Sequence, residues 1–268
     1  MSIRHAPLTA LIMLVLPAAA FAQDHDHHDH APAPADTASA STHDGHAAGP
    51  QPSDGWKVAS HTVLTVATNT QEGPRGDAKT YLQGMVMVTA SRALGERTGL
   101  TLEAMLSPDP FMGRNGYPLL LQTGETADGV NHLTDRQHPH DLFMGLTAKL
   151  SHRLDGGATV SVMAGYPGEF AFGPTTFMHR RSGENFPTAP ISHHWLDSGH
   201  ITMGVVTAGF ESGPLKLEAS QFTGREPDEK RFDLDPVKLD STAFRATWRV
   251  TPALTAQASW ARSQRGIA

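Results

Sequence analysis

Residues 142–166 read LFMGLTAKLSHRLDGGATVSVMAGY, and this stretch decides the predicted fold. Apolar residues occupy every second position before the LDGG segment at 154–157, and the same alternation resumes after it. A period of two is typical of a β-strand with one apolar and one polar face, and the glycine pair is typical of a tight turn. The stretch therefore predicts two antiparallel strands joined by a short connection.

The same alternation recurs from Trp56 to the end of the chain, and no comparable helical period accompanies it. We therefore expect an all-β, antiparallel protein of about nine strands. Besides the two strands above, the predicted strands cover residues 58–68, 82–91, 100–107, 201–210, 215–220, 244–250 and 254–260.

The connections between these strands alternate strictly in length. Short turns follow every even-numbered strand, whereas long links follow the odd-numbered ones, at residues 69–79, 108–140, 167–199 and 223–240. Short inner turns and long outer loops are typical of transmembrane β-barrels, in which lipid covers one face and a watery lumen the other. A soluble sandwich shares the alternation, but its loop lengths need not alternate. The pattern favours an up-and-down transmembrane β-barrel over a sandwich.

Residues 1–22 read as a secretory signal peptide. Arg4 precedes an apolar run at residues 8–20, and Ala20-Phe21-Ala22 forms a cleavage signature of small residues before Gln23. The apolar run is shorter than the ~20 residues that a spanning helix needs. We therefore expect a cleaved signal rather than a retained anchor.

Residues 23–55 form a His/Asp-rich segment that we predict to be a disordered tail. Its composition offers too little apolar surface to offset the conformational entropy of folding. Alternating imidazoles and carboxylates make a loose chelator for Zn²⁺, Cu²⁺ or Ni²⁺, although a solvated linker remains an alternative. The expected ligands in the tail are His25, His27, His28 and His30.

The composition excludes several classes of site and partner. The chain has no cysteine, which excludes disulfides, thiolate metal sites and cysteine nucleophiles. It carries 21 Lys and Arg against 27 Asp and Glu, without a basic run, so a nucleic-acid partner is disfavoured. The unusual count is 16 histidines, many of them in dense groups.

Two such groups stand where a long link enters a strand, at residues 135–141 (DRQHPHD) and 192–200 (SHHWLDSGH). Neutral imidazoles and carboxylates are ligands for transition metals, and both groups are expected on the same outer rim of the barrel. His138 and His140 are two residues apart, so in extended backbone their side chains would point to the same side and could bind one ion. His193 and His194 would point to opposite sides, so at most one of them would join that site. The candidate metal ligands are His138, His140, Asp141, His193, His194, Asp197 and His200.

Two other readings stay open. In the first, these imidazoles only form hydrogen bonds that hold a loop plug inside a porin-like barrel. In the second, Ser192 with His193, or Ser198 with His200, serves an outer-membrane acyl hydrolase. The sequence contains neither G-x-S-x-G nor H-E-x-x-H, so we expect no enzymatic activity.

Several strings of the chain resemble an uncharacterised family of Gram-negative outer-membrane proteins. They are residues 116–126 (GYPLLLQTGET), 135–141, 177–180 (FMHR) and 191–200, and the resemblance runs from Trp56 to the C-terminus. It implies an outer-membrane barrel and no established activity. The leader is also similar in composition to that of the copper resistance protein B family, but this chain has few Met-rich repeats, so copper, zinc and nickel stay open.

The expected protein is thus an outer-membrane barrel over residues 56–268 that binds or passes transition-metal ions, with its tail in the periplasm. Its expected partners are outer-membrane lipid, the barrel-assembly machinery, metal ions and a periplasmic metal-handling protein. A single-chain bacterial barrel closes with an even number of strands, and its last strand usually ends on an aromatic residue. Because this sequence reaches about nine strands and ends at Ala268, we expect a truncated barrel or strands supplied elsewhere.

Overall fold

The computed structural model describes residues 11–15, 55–180, 183, 186 and 188–264. Most of the predicted signal peptide lies outside the described residues, as does the predicted tail up to residue 54 with His25, His27, His28 and His30. Both predictions therefore stay predictions.

The protein is all-β, and its main element is a ten-stranded antiparallel sheet. Nine of these strands lie between Lys57 and Arg262, and they include every predicted strand. All but one pair of neighbours among those nine are consecutive in sequence, so the predicted up-and-down order is confirmed. The strands are β1 (Leu11–Val15), β2 (Lys57–Thr70), β3 (Ala78–Ala93), β4 (Thr98–Leu106), β7 (Phe143–Arg153), β8 (Thr159–Gly165), β9 (Val205–Ser212), β10 (Leu215–Thr223), β11 (Leu239–Thr251) and β12 (Leu254–Arg262).

The sheet is open in the described part of the chain. The strand order across the sheet is β1-β12-β11-β10-β9-β8-β7-β4-β3-β2. The edge strands β1 and β2 do not pair with each other. The described residues thus form an antiparallel meander, and no closed barrel is present among them. Among the described residues, no helix has the length and apolar character needed to cross a membrane.

The two faces of the sheet are inverted relative to a soluble protein. Side chains of the apolar alternation point outward, so that Val162 is 55% and Leu150 47% exposed. The opposite face is more buried and mixes polar side chains with two apolar clusters, one that includes Met85 and one that includes Phe222. There Arg245 donates from Nε to Oε2 of Glu218 at 2.8 Å. An exposed apolar face opposite a face with buried polar and ionic groups is typical of strands that face lipid on one side and a lumen on the other.

Most of the long links gather at one end of the sheet, where β4, β8 and β10 end and β7, β9 and β11 begin. They contain short helices: three 3-10 turns (Asp109–Met112, Phe177–His179 and Ser198–His200) and the single-turn helix α1 (His193–Leu196). We call these links, residues 107–142, 166–204 and 224–238, the loop layer. It holds both histidine groups that the sequence singles out.

One element of the loop layer was not predicted. Residues 108–140, expected to be an irregular link, contain the antiparallel hairpin of β5 (Tyr117–Thr126) and β6 (His132–Gln137). Its register breaks twice, and both Leu121 and Asp135 adopt a positive φ angle. These irregularities erase the period of two, which is why alternation alone does not reveal the hairpin.

Candidate metal centre

Three imidazoles from the two histidine groups converge in the loop layer. The ring centroids of His193 and His200 lie 4.6 Å apart, and His140 lies 5.2 Å from His200 and 5.9 Å from His193. One ring nitrogen from each residue lies within 4.8 Å of the other two. His140, which lies 53 positions before His193 and 60 before His200, thus forms a compact three-nitrogen group with them, which we call the three-histidine centre.

In each of these imidazoles, Nδ1 lies within hydrogen-bond distance of a protein oxygen atom. Nδ1 lies 2.8 Å from Asp109 Oδ2 in His140, 2.8 Å from Asp197 Oδ1 in His193, and 2.9 Å from the Asp197 carbonyl oxygen in His200. An Nδ1–H that donates to such an oxygen leaves Nε2 with an available lone pair. This is the outer-shell arrangement usual for metal-binding histidines, because it fixes both the tautomer and the ring orientation.

The local structure explains how these oxygens are held. Asp109 opens the 3-10 turn after β4, between Pro108 and Pro110, whose fixed φ angles suit the first turn of a helix. Its backbone N–H donates to Ser107 Oγ at 3.1 Å. Pro139 precedes His140 in the short link into β7, so the chain at His138 is restricted toward extended backbone.

Asp197 is the second anchor, and it is almost fully buried. Besides holding His193, its carboxylate accepts a hydrogen bond from the backbone N–H of Phe177 at 2.8 Å and another from Arg180. A single carboxylate therefore ties α1 to the 3-10 turn at Phe177–His179. The sequence analysis proposed Asp197 as a ligand, whereas the structure places it behind two of the imidazoles.

His138 and His194 lie beside the three-histidine centre rather than in it. Their ring centroids are 5.2 Å apart, and Nε2 of His138 lies 2.9 Å from Glu125 Oε1. Residues 138–141 are not a strand, so the extended backbone assumed for His138 and His140 is absent, and their rings stand edge to face at 6.1 Å. That these two imidazoles aim at one ion stays a prediction.

Asp141, another predicted ligand, lies in an ionic network. Arg231 bridges it to Glu125, with Nη2 at 2.6 Å from Glu125 Oε2 and Nη1 at 3.5 Å from Asp141 Oδ1. Oδ2 of Asp141 is buried without a hydrogen-bond partner. The Asp141 carboxylate thus balances the charge of Arg231 and is not part of the three-nitrogen group.

Sequence reasoning missed Asp109, Glu125 and Arg231. Glu125 lies inside the quoted GYPLLLQTGET string, but nothing in that string marks it as the partner of His138. Asp109 and Arg231 stand in separate long links, 31 residues before His140 and 90 residues after Asp141. Only the fold brings them to the site.

Burial dominates the electrostatics of the imidazoles. It lowers the pKa of His193 and His194, and it lowers the pKa of His200 well below the usual histidine value, with the neighbouring imidazoles acting in the same direction. For His140, burial is outweighed by the hydrogen bond and negative charge of Asp109, which raise its pKa. Because their pKa values are lowered, His193 and His200 are neutral at neutral pH. Neutral imidazole is the form that binds a metal.

The carboxyl groups of the network differ sharply from one another. Burial raises the pKa of Asp141 to about 7. Glu125 is buried as well, but its contacts with His138 and Arg231 lower its pKa to about 2. Glu125 therefore carries the negative charge that faces His138 and Arg231.

The arrangement of the three imidazoles suits ion binding. Three neutral nitrogens are the protein ligands of many zinc sites that keep a fourth position open, and imidazole also suits copper and nickel. Among the described hydrogen bonds, the imidazoles of both groups contact carboxylates, one carbonyl and the Gln137 amide. The Ser198 side chain lies outside the described part of the structure, so the Ser/His hydrolase alternative stays open.

The isolated histidines of the sequence have other contacts. His132 lies with Nδ1 3.0 Å from the Gly124 carbonyl oxygen, and His152 lies with Nδ1 2.9 Å from Thr98 Oγ1 near the short-turn end of the sheet. Comparison with known proteins adds no further assignment. No family model, curated protein or solved structure matches this chain.

Proposed function

We propose that this protein is an outer-membrane β-protein that binds transition-metal ions at the three-histidine centre and takes part in their uptake or removal. The observation that carries the proposal is the group of His140, His193 and His200, with ligand nitrogens within 4.8 Å of one another and all three Nδ1 atoms held by protein oxygens. A hydrogen-bonded loop plug needs no such convergence of the opposite ring nitrogens.

Two orphaned atoms strengthen this assignment. Nε2 of His140 and Nε2 of His200 are buried and have no hydrogen-bond partner. A buried polar atom without a partner costs about 1–3 kcal/mol, and an ion bound between the two imidazoles would remove that cost. Asp109 and Asp197, behind the imidazoles, supply negative charge that favours a divalent cation.

The membrane location rests on the inverted faces of the sheet. Exposed apolar side chains follow one another along β7 to β11, with Val162, Phe210 and Phe244 among them. Such a surface is far more extended than the patches usual on monomeric soluble proteins. Lipid would cover it, with barrel-assembly machinery inserting the protein and additional strands closing the sheet.

In this proposal the predicted tail and the three-histidine centre have different tasks. The tail, with His25, His27, His28 and His30, would collect Zn²⁺, Cu²⁺ or Ni²⁺ loosely in the periplasm. The three-histidine centre has a fixed geometry and would bind one ion more selectively at the far end of the strands. A periplasmic metal-handling protein would exchange ions with the tail.

Metal binding is tested by equilibrium dialysis of the full chain against Zn²⁺, Ni²⁺ and Cu²⁺ in the presence of a competing chelator. We expect the variant His140→Gln/His193→Gln/His200→Gln to retain one ion fewer than the unmodified protein. The matched control is His132→Gln/His152→Gln, which removes imidazoles outside the centre. Equal retention by both variants would refute the three-histidine centre and favour the loop-plug alternative.

Location is tested separately by fractionating cells that produce the signal-bearing protein and by running the membrane fraction on a heat-modifiability gel. Recovery in the outer membrane with a heat-dependent change in mobility supports the proposal. Recovery as a soluble periplasmic protein would overturn the membrane part and leave the metal-binding part standing.

A further inference from the structure

A cavity of about 180 Å³ lies between the loop layer and the inner face of the sheet. Strands β4, β7 and β8 supply one side of its wall and the loop layer supplies the other, including His200 of the three-histidine centre. The cavity has room for an ion, since one water molecule occupies about 30 Å³ in the liquid.

Methionine is the residue that the surrounding elements have in common. Met105 comes from β4, Met144 from β7, Met163 from β8 and Met178 from the 3-10 turn at Phe177–His179. Three adjacent strands and one loop therefore each place a thioether side chain at the same cavity. They are four of the ten methionines in the chain.

These methionines stand where apolar packing meets polar residues on the inner face. Met105 follows Glu103 on the inner face of β4, and Met163 follows Ser161 on the inner face of β8. Met105, Met144 and Met178 pack in one apolar cluster with Met85 and Ile201, and Met163 packs against a second cluster that includes Phe170. The cavity lies where these two clusters face the loop layer.

Met144 reaches the cavity through an irregularity of the sheet. Gly145 pairs with Met105 and Phe143 pairs with Leu106, so Met144 is the extra residue of a β-bulge. The regular alternation would place Met144 on the outer face with Leu146 and Leu150, but the side chain is only 1% exposed. Bulges re-aim side chains in this way, and here the bulge brings a third thioether to the inner face.

Thioether sulfur is a soft ligand that selects Cu⁺, and by the same softness Ag⁺, over Zn²⁺ and Ni²⁺. Because the chain has no cysteine, methionine is its only source of sulfur ligands. Glu103 and Glu169 also line the cavity, and Glu169 is paired with Arg245. Met is a common filler of irregular cores, but here the four side chains also border a cavity that is large enough for an ion.

We propose that this cavity is a second metal site, which binds one soft monovalent cation, Cu⁺ or Ag⁺, through the thioethers of Met105, Met144, Met163 and Met178. His200 forms the boundary between this site and the three-histidine centre. The inference goes beyond the proposed function, because it assigns a different ligand type and a different class of ion, and it does not require the three-histidine centre to bind anything.

The test measures Ag⁺ bound by the full-length protein in chloride-free buffer, with Ag⁺ as a stand-in for Cu⁺ that undergoes no redox change. The variant Met105→Leu/Met144→Leu/Met163→Leu keeps side-chain volume and removes three sulfur atoms. We expect it to bind one Ag⁺ fewer per chain than the unmodified protein. The control is Met112→Leu/Met203→Leu, whose residues neither line this cavity nor belong to the cluster of Met105 and Met144.

The same samples are titrated with Zn²⁺, so that the two proposals fail separately. Loss of one Ag⁺ with unchanged Zn²⁺ binding supports the thioether site, whatever the Zn²⁺ stoichiometry is. Equal Ag⁺ binding by the cavity variant, the control variant and the unmodified protein would refute it. Loss of Ag⁺ in both variants would also refute it, because the loss would not depend on the cavity.

A second measurement covers the case in which the cavity variant does not fold. Methyl groups of ¹³C-methyl-methionine are followed by NMR in the unmodified protein as Ag⁺ is added, with assignments from single Met→Leu variants. Shifts of the Met105, Met144, Met163 and Met178 methyls with the first tightly bound equivalent are the expected result. Unshifted resonances for all four would overturn the proposal.

Discussion

Nδ1 of His140 lies 2.8 Å from Oδ2 of Asp109, and both side chains are buried. This contact fixes the ring of the one imidazole in the three-histidine centre that comes from the link between β6 and β7. Outer-shell carboxylates of this kind typically change metal affinity by about 10–100-fold when they are altered. The Asp109–His140 pair is therefore a sensitive test of whether the centre binds an ion.

We expect Asp109→Asn to weaken Zn²⁺ binding by about 10–100-fold, because the amide carries no charge and does not enforce one histidine tautomer. Affinity is measured by competition with a chromogenic chelator. Asp155→Asn is the control, since Asp155 is exposed and paired with Arg97 at the opposite end of the sheet. A variant at Asp109 that binds as tightly as the control would show that Asp109 does not support a metal ligand.

Metal binding should also depend on pH through His140. Asp109 raises the pKa of His140, whereas burial lowers the pKa of His193 and His200. As the pH falls, His140 is thus the first of the three to take up a proton and lose its capacity to bind an ion. At pH values below the pKa of His140, we expect the affinity for the metal ion to fall by about tenfold per pH unit. In that pH range, binding of one ion should release about one proton from His140.

The proton count is obtained from calorimetric titrations in buffers of different ionisation enthalpy. In Asp109→Asn the pKa of His140 should drop, so the decline in affinity should begin at a lower pH than in the unmodified protein. An identical pH profile for the two proteins would show that protonation of His140 does not control metal binding.

The alternation of residues carries most of the information about the fold. Runs such as that in residues 142–166 define both the strands and which face is apolar, and the sheet contains all nine predicted strands in up-and-down order. Alternation reports only local geometry, so it fails where the register breaks. The β5–β6 hairpin, with two breaks, and the bulge at Met144 both escape it.

The location of the candidate site follows from the topology, but its composition does not. Alternate links emerge at the same end of an up-and-down sheet, which brings residues 135–141 and 192–200 to one end. Which imidazoles converge depends on side-chain partners from other links, namely Asp109 for His140 and Glu125 for His138. From the sequence, at most one of His193 and His194 is expected to join the site, and the three-histidine centre includes His193 but not His194. The two residues lie in helix α1, however, and not in the extended backbone on which that expectation depends.

The network around Arg231 should contribute strongly to the stability of the loop layer. Arg231 is buried between Glu125 and Asp141, and its carbonyl oxygen accepts a hydrogen bond from the Leu142 backbone N–H at 2.8 Å. Removing one partner of a buried ionic network leaves the other charges uncompensated, at a cost of about 3–5 kcal/mol. We expect Arg231→Gln to lower the free energy of unfolding by that amount.

This change is measured by urea titration of the refolded protein in detergent. Arg225→Gln is the matched control, because Arg225 is half exposed and its nearest carboxylate oxygen, on Asp228, is 3.8 Å away. An exposed ion pair contributes at most about 1 kcal/mol. Equal stability of the two variants would mean that Glu125 and Asp141 find other partners or water when Arg231 is absent.

Val162 offers the sharpest test of the membrane proposal. It lies near the middle of β8 on the exposed apolar face, and its side chain contacts lipid if the sheet spans a membrane. An arginine on the lipid face costs about 2–4 kcal/mol at the midplane of the bilayer, but an exposed arginine on a soluble strand costs little. We expect Val162→Arg to reduce recovery of heat-modifiable protein in the outer membrane several-fold. Val130→Arg, in the exposed turn between β5 and β6, should have no such effect. If the two variants assemble equally well, the apolar face does not contact lipid, and the proposed membrane location is wrong.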